Sequence, residues 1–146
     1  MNDYTVGFLG SEKETDFEKI KNQFETTIID LFEKQNKIVF LVGCNNEFDI
    51  FAAKTINKLR KKCNYTNSIL KLLVPFRGLN KDICIKKNYD EIEINEILSC
   101  QFYESALWLA EKRIINCSDF LIFYKGENTI LRYARASGKN ILLLNS

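Results

Sequence analysis

The chain has 146 residues, of which 46% are hydrophobic and 27% charged, with a formal net charge of +2. That length suffices for one domain with its own core, without metal or disulfide support. The lack of any histidine excludes Ser-His and Cys-His catalytic pairs and histidine metal sites, leaving Asp, Glu, Lys, Tyr or Cys for acid–base chemistry. Five cysteines, Cys44, Cys63, Cys84, Cys100 and Cys117, form an odd number without CxxC spacing, which indicates neither a disulfide framework nor a zinc knuckle. A reduced, cytoplasmic setting is expected. No apolar run approaches the roughly 18 residues of a membrane span, and the opening MNDYTVGFLG lacks the basic start of a secretory leader.

Taken in order, Thr5 to Leu9 reads as a first strand ended by Gly10. Thr15 with Glu18 forms a capping box for a helix whose Phe17, Ile20, Phe24, Ile28 and Leu31 repeat at helical spacing. In KIVFLVGCNNEFD, Lys37 to Asp49, an apolar run without alternation stops at Gly43, as in a parallel strand covered on both faces. A helix follows from about Phe48 to Lys62, with Phe48, Ala52, Ile56 and Leu59 as its buried stripe. Asn46 and Asp49 have capping-box spacing, so Asp49 reads either as a helix cap or as a ligand contact. The cluster Lys58, Arg60, Lys61 and Lys62 falls in the last turns of that helix, where cations complement the dipole, and reads as a solvated end rather than a nucleic-acid patch.

Ile69 to Val74 reads as a strand closed by Pro75, Phe76 to Asn88 as a mobile loop, and Tyr89 to Ile94, YDEIEI, as an edge strand kept soluble by its acids. The longest helix is expected from about Asn95 to Asn116. Leu98, Phe102, Ala106, Leu109 and Arg113 lie on one side of it, and Tyr103, Leu107, Ala110 and Ile114 on a second. Trp108 and Ile115 widen the apolar surface, an excess that suggests a buried dimer contact. Phe120 to Tyr124 reads as a doubly buried strand, Asn128 or Thr129 as the cap of a last helix, Gly138 as its left-handed C-cap, and Ile141 to Leu144 as the final strand.

Alternating strands and helices give an α/β fold, a Rossmann-like three-layer sandwich with a mostly parallel sheet and helices on both faces, as one domain over 1–146. Such folds bind ligands at the carboxyl ends of strands beside the switch in strand order. If the Phe120 strand joins the first strand on the side away from the second, the loops Gly10 to Lys13, Gly43 to Asp49 and Lys125 to Thr129 meet there.

FLVGCNNEFD, YDEIEI, SDFLIFY and LRYARASGKNILLL, in this order, resemble the SLOG superfamily, the Rossmann-like group named for the SMF/DprA and LOG proteins, and specifically its YpsA-like bacterial branch. The likeness covers nearly the whole chain. That branch carries a Gly-His-Arg after the first strand, an Arg-Asn pair on the long helix and a Gly-Gly turn before the last helix. Here Ser11 and Glu12 follow Gly10, Ala110 and Glu111 stand for Arg-Asn, and the Gly-Gly loop is shortened to Lys125, Gly126, Glu127 and Asn128. Glycine turns and arginines cradle phosphate. Glu12, Glu111 and Glu127 instead put acids where a phosphate would lie, unless they are plain solvated surface.

The resemblance implies a domain binding a nucleotide or nucleotide-derived ligand through Gly10, Ser11, Glu12, Gly43, Asn45, Asn46, Asp49, Gly126 and Thr129, with no cofactor and no metal. One alternative is a non-catalytic interaction module, an inhibitor or accessory, acting through Phe102, Tyr103 and Trp108, with a homodimer and a protein partner expected. Another is an enzyme acting on an N-glycosidic bond, with Asp49, Glu47 or Glu111 as the carboxylate at the anomeric carbon. Cys44, beside the expected crevice, is either reactive or buried.

Overall fold

The computed structural model describes residues 3–10, 16–43, 46–74, 88–94, 103–124 and 128–144. In chain order its elements are β1 (Tyr4–Gly10), α1 (Glu18–Lys34), β2 (Ile38–Val42), α2 (Glu47–Cys63), β3 (Ser68–Val74), β4 (Glu91–Ile94), α3 (Tyr103–Cys117), β5 (Phe120–Tyr124), α4 (Asn128–Ala136) and β6 (Asn140–Leu144). The six strands form one sheet in the order β4-β3-β2-β1-β5-β6, and every neighbouring pair is parallel. The Rossmann-like sandwich is therefore present, with YDEIEI supplying one edge and the Phe120 strand lying beside β1, away from β2.

Period-two alternation divides the strand side chains between two cores. Val6, Phe8, Phe40, Leu70, Leu72, Ile122 and Tyr124 face α1 and α2, where they meet Ile20, Phe24, Ile28, Phe48, Ala52 and Ile56. Leu9, Leu41, Leu73, Leu121 and Phe123 face α3 and α4, against Ala110, Ile114, Ile115, Ile130 and Ala134. Unbroken apolar runs in β2 and β5 follow directly, since both faces are covered.

Two details depart from the sequence reading, the start of α1 and the setting of Arg113. Helix α1 begins at Glu18, with Phe17 in the cap position and no side-chain cap bond from it. The Asp16 carboxylate accepts from the Glu18 N–H at 3.1 Å, so a local turn takes the role assigned to the Thr15–Glu18 box; Thr15 lies outside the described residues. On α3 the buried positions among the described side chains are Ala110, Ile114 and Ile115, which the spacing had placed on its apolar surface. Arg113, placed on the apolar side by the spacing, is exposed and reaches β4, where its Nε meets Glu93 Oε2 at 2.5 Å.

Helix ends account for the rest. Asn64 adopts left-handed angles (φ 57°) after α2, and Gly138 (φ 73°) after α4, as expected of a left-handed cap. Arg60 and Lys58, from the basic cluster, pair with Asp90 at 2.6 Å and Glu25 at 2.8 Å, as a solvated helix end would. Pro75, the loop to Lys87 and the expected helix start from Asn95 to Phe102 lie outside the described residues.

Candidate functional site

β1 is the switch strand: its chain neighbour β2 lies on one side and β5, which arrives only after α3, on the other. Gly10 and Tyr124 are register partners at the carboxyl ends of β1 and β5. The reversal therefore sits at the position where parallel sheets open a crevice.

α2 is anchored at this edge by Asn46, whose extended backbone (φ −152°, ψ 173°) suits an N-cap. Its Oδ1 accepts from the Asp49 N–H at 3.0 Å, and its Nδ2 donates to the Gly10 carbonyl at 3.3 Å. One side chain thus caps the helix and ties it to the end of β1. The sequence signal for the cap was the Asn46–Asp49 spacing; the bond to Gly10 spans 36 positions and had none. Phe48, fully buried, presses against Gly10, where an added Cβ would come within 2.6 Å of the Phe48 Cβ. Glycine here admits a neighbouring helix rather than a special turn.

Asp49 is 2% exposed in the first turn of α2, Glu47 beside it is exposed, and Gly43 is buried. Thr129 is exposed in the first turn of α4. Glu111 is half-buried midway along α3, so the three carboxylates considered for glycosidic chemistry occupy three settings. Ser11, Glu12, Cys44, Asn45, Gly126, Glu127 and Phe102 lie outside the described residues. At the start of α1, Asp16 occupies the Glu18 N–H. Each helix start nearest the crevice thus has one N–H met by a side chain, Asp16 on α1 and Asn46 on α2, and acids in its first turn, Glu18 on α1 and Glu47 and Asp49 on α2. Acids complement the positive helix ends and compete with an incoming anion.

On the α1–α2 side, an aromatic cluster fills the space under this edge. Phe17 stacks on Phe51 (centroids 4.6 Å apart, planes at 24°) and meets Tyr124 edge-on at 5.6 Å; Phe48 lies 5.6 Å from Tyr124. Next to it, between α1 and α2, is a groove of about 350 Å³ lined by Asp16, Phe17, Glu18, Lys21, Phe51, Lys54, Thr55 and Lys58. Sequence reading missed this groove, having assigned Phe17 to the helical stripe and Lys58 to a solvated end.

The surface proposed on α3 is only partly open. Trp108 is half-buried, with its ring 6.3 Å from Tyr133 of α4, and Lys112 Nζ lies 5.6 Å and 5.0 Å from those two ring centroids. Part of the excess apolar surface of α3 is thereby covered by α4. Tyr103 opens the helix. Among the described residues no group of three His, Cys, Asp or Glu could hold a metal ion, and no helix is long and apolar enough to cross a membrane.

A scan against protein-family models, a search of the curated proteins and a search of the solved structures each return no match.

Proposed function

We propose that the chain binds a nucleotide-derived small molecule at the carboxyl ends of β1, β2 and β5, and that it reads base and ribose rather than phosphate. The observation carrying this reading is the strand-order reversal at β1 and β5, flanked by two helix starts at which Asp16 and Asn46 each accept from an N–H and whose first turns carry Glu18, Glu47 and Asp49. A reversal of this kind supplies a crevice. Capped, acidic helix starts disfavour phosphate and suit hydroxyl and amino groups as donors. The SLOG-like motifs and the substitution of Ser11 and Glu12 for His-Arg point the same way. Thr129, together with Gly10, Ser11, Glu12, Gly43, Asn45, Asn46, Asp49 and Gly126, would line the site. Asp49, being buried, would act by holding Asn46 and the helix start.

The test is thermal unfolding with millimolar adenosine, other nucleosides, AMP, ADP-ribose, cyclic ADP-ribose and NAD. A ligand at a hundredfold its dissociation constant adds about 2.7 kcal/mol to the native state. A nucleoside should raise Tm at least as much as its monophosphate, with the shift reduced in Thr129→Ala and Asp49→Asn. A response confined to phosphorylated ligands, or none at all, would sink the reading. Glycosidic-bond chemistry is not favoured, since Asp49 is buried, Glu47 exposed and Glu111 midway along another helix.

A further inference from the structure

The α1–α2 groove is lined by charges of both signs beside an aromatic wall. Both helices begin at the edge where β1 and β2 end, so positions along them give height within the groove. Glu18 opens α1, Lys21 lies three residues, about 4.5 Å of rise, further down, and Lys54 and Lys58 lie two and three turns into α2. The charged lining is therefore mixed, with Asp16, Glu18 and Lys21 close together at the start of α1 and Lys54 and Lys58 facing them from α2. Lys58 is paired with Glu25, whereas Lys21, Lys54 and the Glu18 carboxylate have no ion-pair partner among the described residues. The aromatic part of the wall is the stacked, half-buried Phe17–Phe51 pair, with the Thr55 side chain, 6% exposed, one turn further along α2.

From this arrangement we infer that the groove binds a free aromatic α-amino acid. Its ammonium would meet Glu18, its carboxylate would meet Lys21 and Lys54, and its ring would extend the Phe17–Phe51 stack. Each part of the ligand has a counterpart of matching chemistry. Opposite charges attract within a partly desolvated cleft, and offset or tilted aromatic pairs gain beyond their buried area. The volume lies near the lower end of the range of about 300–1,000 Å³ typical of ligand pockets, which suits an amino acid and not a dinucleotide. The groove adjoins the crevice at β1 and β5 and shares the α1 start, Asp16 and Glu18, with it, but binding of an amino acid in the groove does not require nucleoside binding in the crevice.

The experiment is a titration of the full chain with L-phenylalanine, followed by thermal unfolding and by amide chemical shifts. N-acetyl-L-phenylalanine, lacking the ammonium, and L-phenylalaninamide, lacking the carboxylate, serve as comparisons. L-phenylalanine should raise Tm and move the amides of Lys21, Phe51 and Lys54, and each blocked analogue should bind at least tenfold more weakly. The exposed Lys54→Glu variant should keep its fold and lose the response, while Glu18→Gln should weaken L-phenylalanine and phenylalaninamide, which carry the ammonium, and leave the acetylated acid unchanged. Absence of binding at millimolar concentration, equal binding of all three compounds, or an unchanged response in Lys54→Glu would overturn the inference.

Discussion

Gly10 and Phe48 meet with no room for a methyl group between them. An added Cβ would lie 2.6 Å from the Phe48 Cβ and 2.7 Å from its Cγ, and a Cβ cannot swing away as a flexible chain end can. Gly10→Ala must therefore push the start of α2 off β1, and overpacking of this kind costs about 1–3 kcal/mol. Urea unfolding should show that loss as a lower midpoint with an unchanged slope. A variant as stable as the parent would mean that α2 shifts freely. In the sequence Gly10 was legible only as the last residue of a strand and as the surviving glycine of a phosphate-binding pattern. Its contact with Phe48 depends on how closely α2 approaches β1, which local spacing does not encode. The neighbouring cap was legible, because Asn46 and Asp49 interact within one turn.

At the amino ends of the strands, β4 and β5 are begun by the same device. Asp119, one residue before β5, donates its N–H to the Thr5 carbonyl at 2.7 Å and accepts from the Thr5 N–H through its carboxylate at 2.8 Å. Asp90, one residue before β4, does the same to Leu70, at 2.8 Å and 2.7 Å. Each aspartate lengthens a parallel ladder by one rung. Asp90 of YDEIEI and Asp119 of SDFLIFY thus start strands. We predict that Asp119→Ala costs about 1–2 kcal/mol, as charged hydrogen bonds at a partly solvated site do, with Asp119→Asn recovering part of it because an amide oxygen still accepts. Equal losses in both variants, measured by denaturant unfolding, would contradict a hydrogen-bonding role.

β4 carries a second constraint, legible in sequence only as alternating acids. Glu93 bonds Arg113 of α3 at 2.5 Å and Lys71 of β3 at 3.1 Å. The Arg113 hydrogen bond, followed by that of Lys71, holds the Glu93 carboxyl below its ordinary value of 4.5 against the opposing effect of burial. A depressed folded value means that the stabilisation is fully present above about pH 4.5 and is lost as pH falls through the lower folded value. Glu93→Gln should therefore cost roughly 0.5–1 kcal/mol at neutral pH, as partly exposed ion pairs do, and the gap to the parent should close in acid. A gap independent of pH would show that packing, not charge, is at stake.

Across the whole molecule, the parallel sheet covered on both faces was readable from unbroken apolar runs and from strands alternating with helices, whereas the strand order, with β5 beside β1 and away from β2, entered the sequence reading only as a condition. The site was less readable, since Gly10 meets Asn46 and Phe17 meets Phe51 only after the chain has folded. The same architecture sets a gradient of stability. β1 is paired on both sides, touches α2 on one face and α3 on the other, and buries Val6 and Phe8 fully. β4 has four residues and one neighbour, and its Ile92 is 40% exposed. Cooperative units with little buried surface open below the global unfolding free energy. Native-state hydrogen exchange should find the bonded amides of β1 exchanging only through global unfolding, and those of β4 through a lower-energy opening that Glu93→Gln eases further. Protection of β4 equal to that of β1 would show instead that the sheet unfolds as one unit, with its acidic edge held as firmly as its centre.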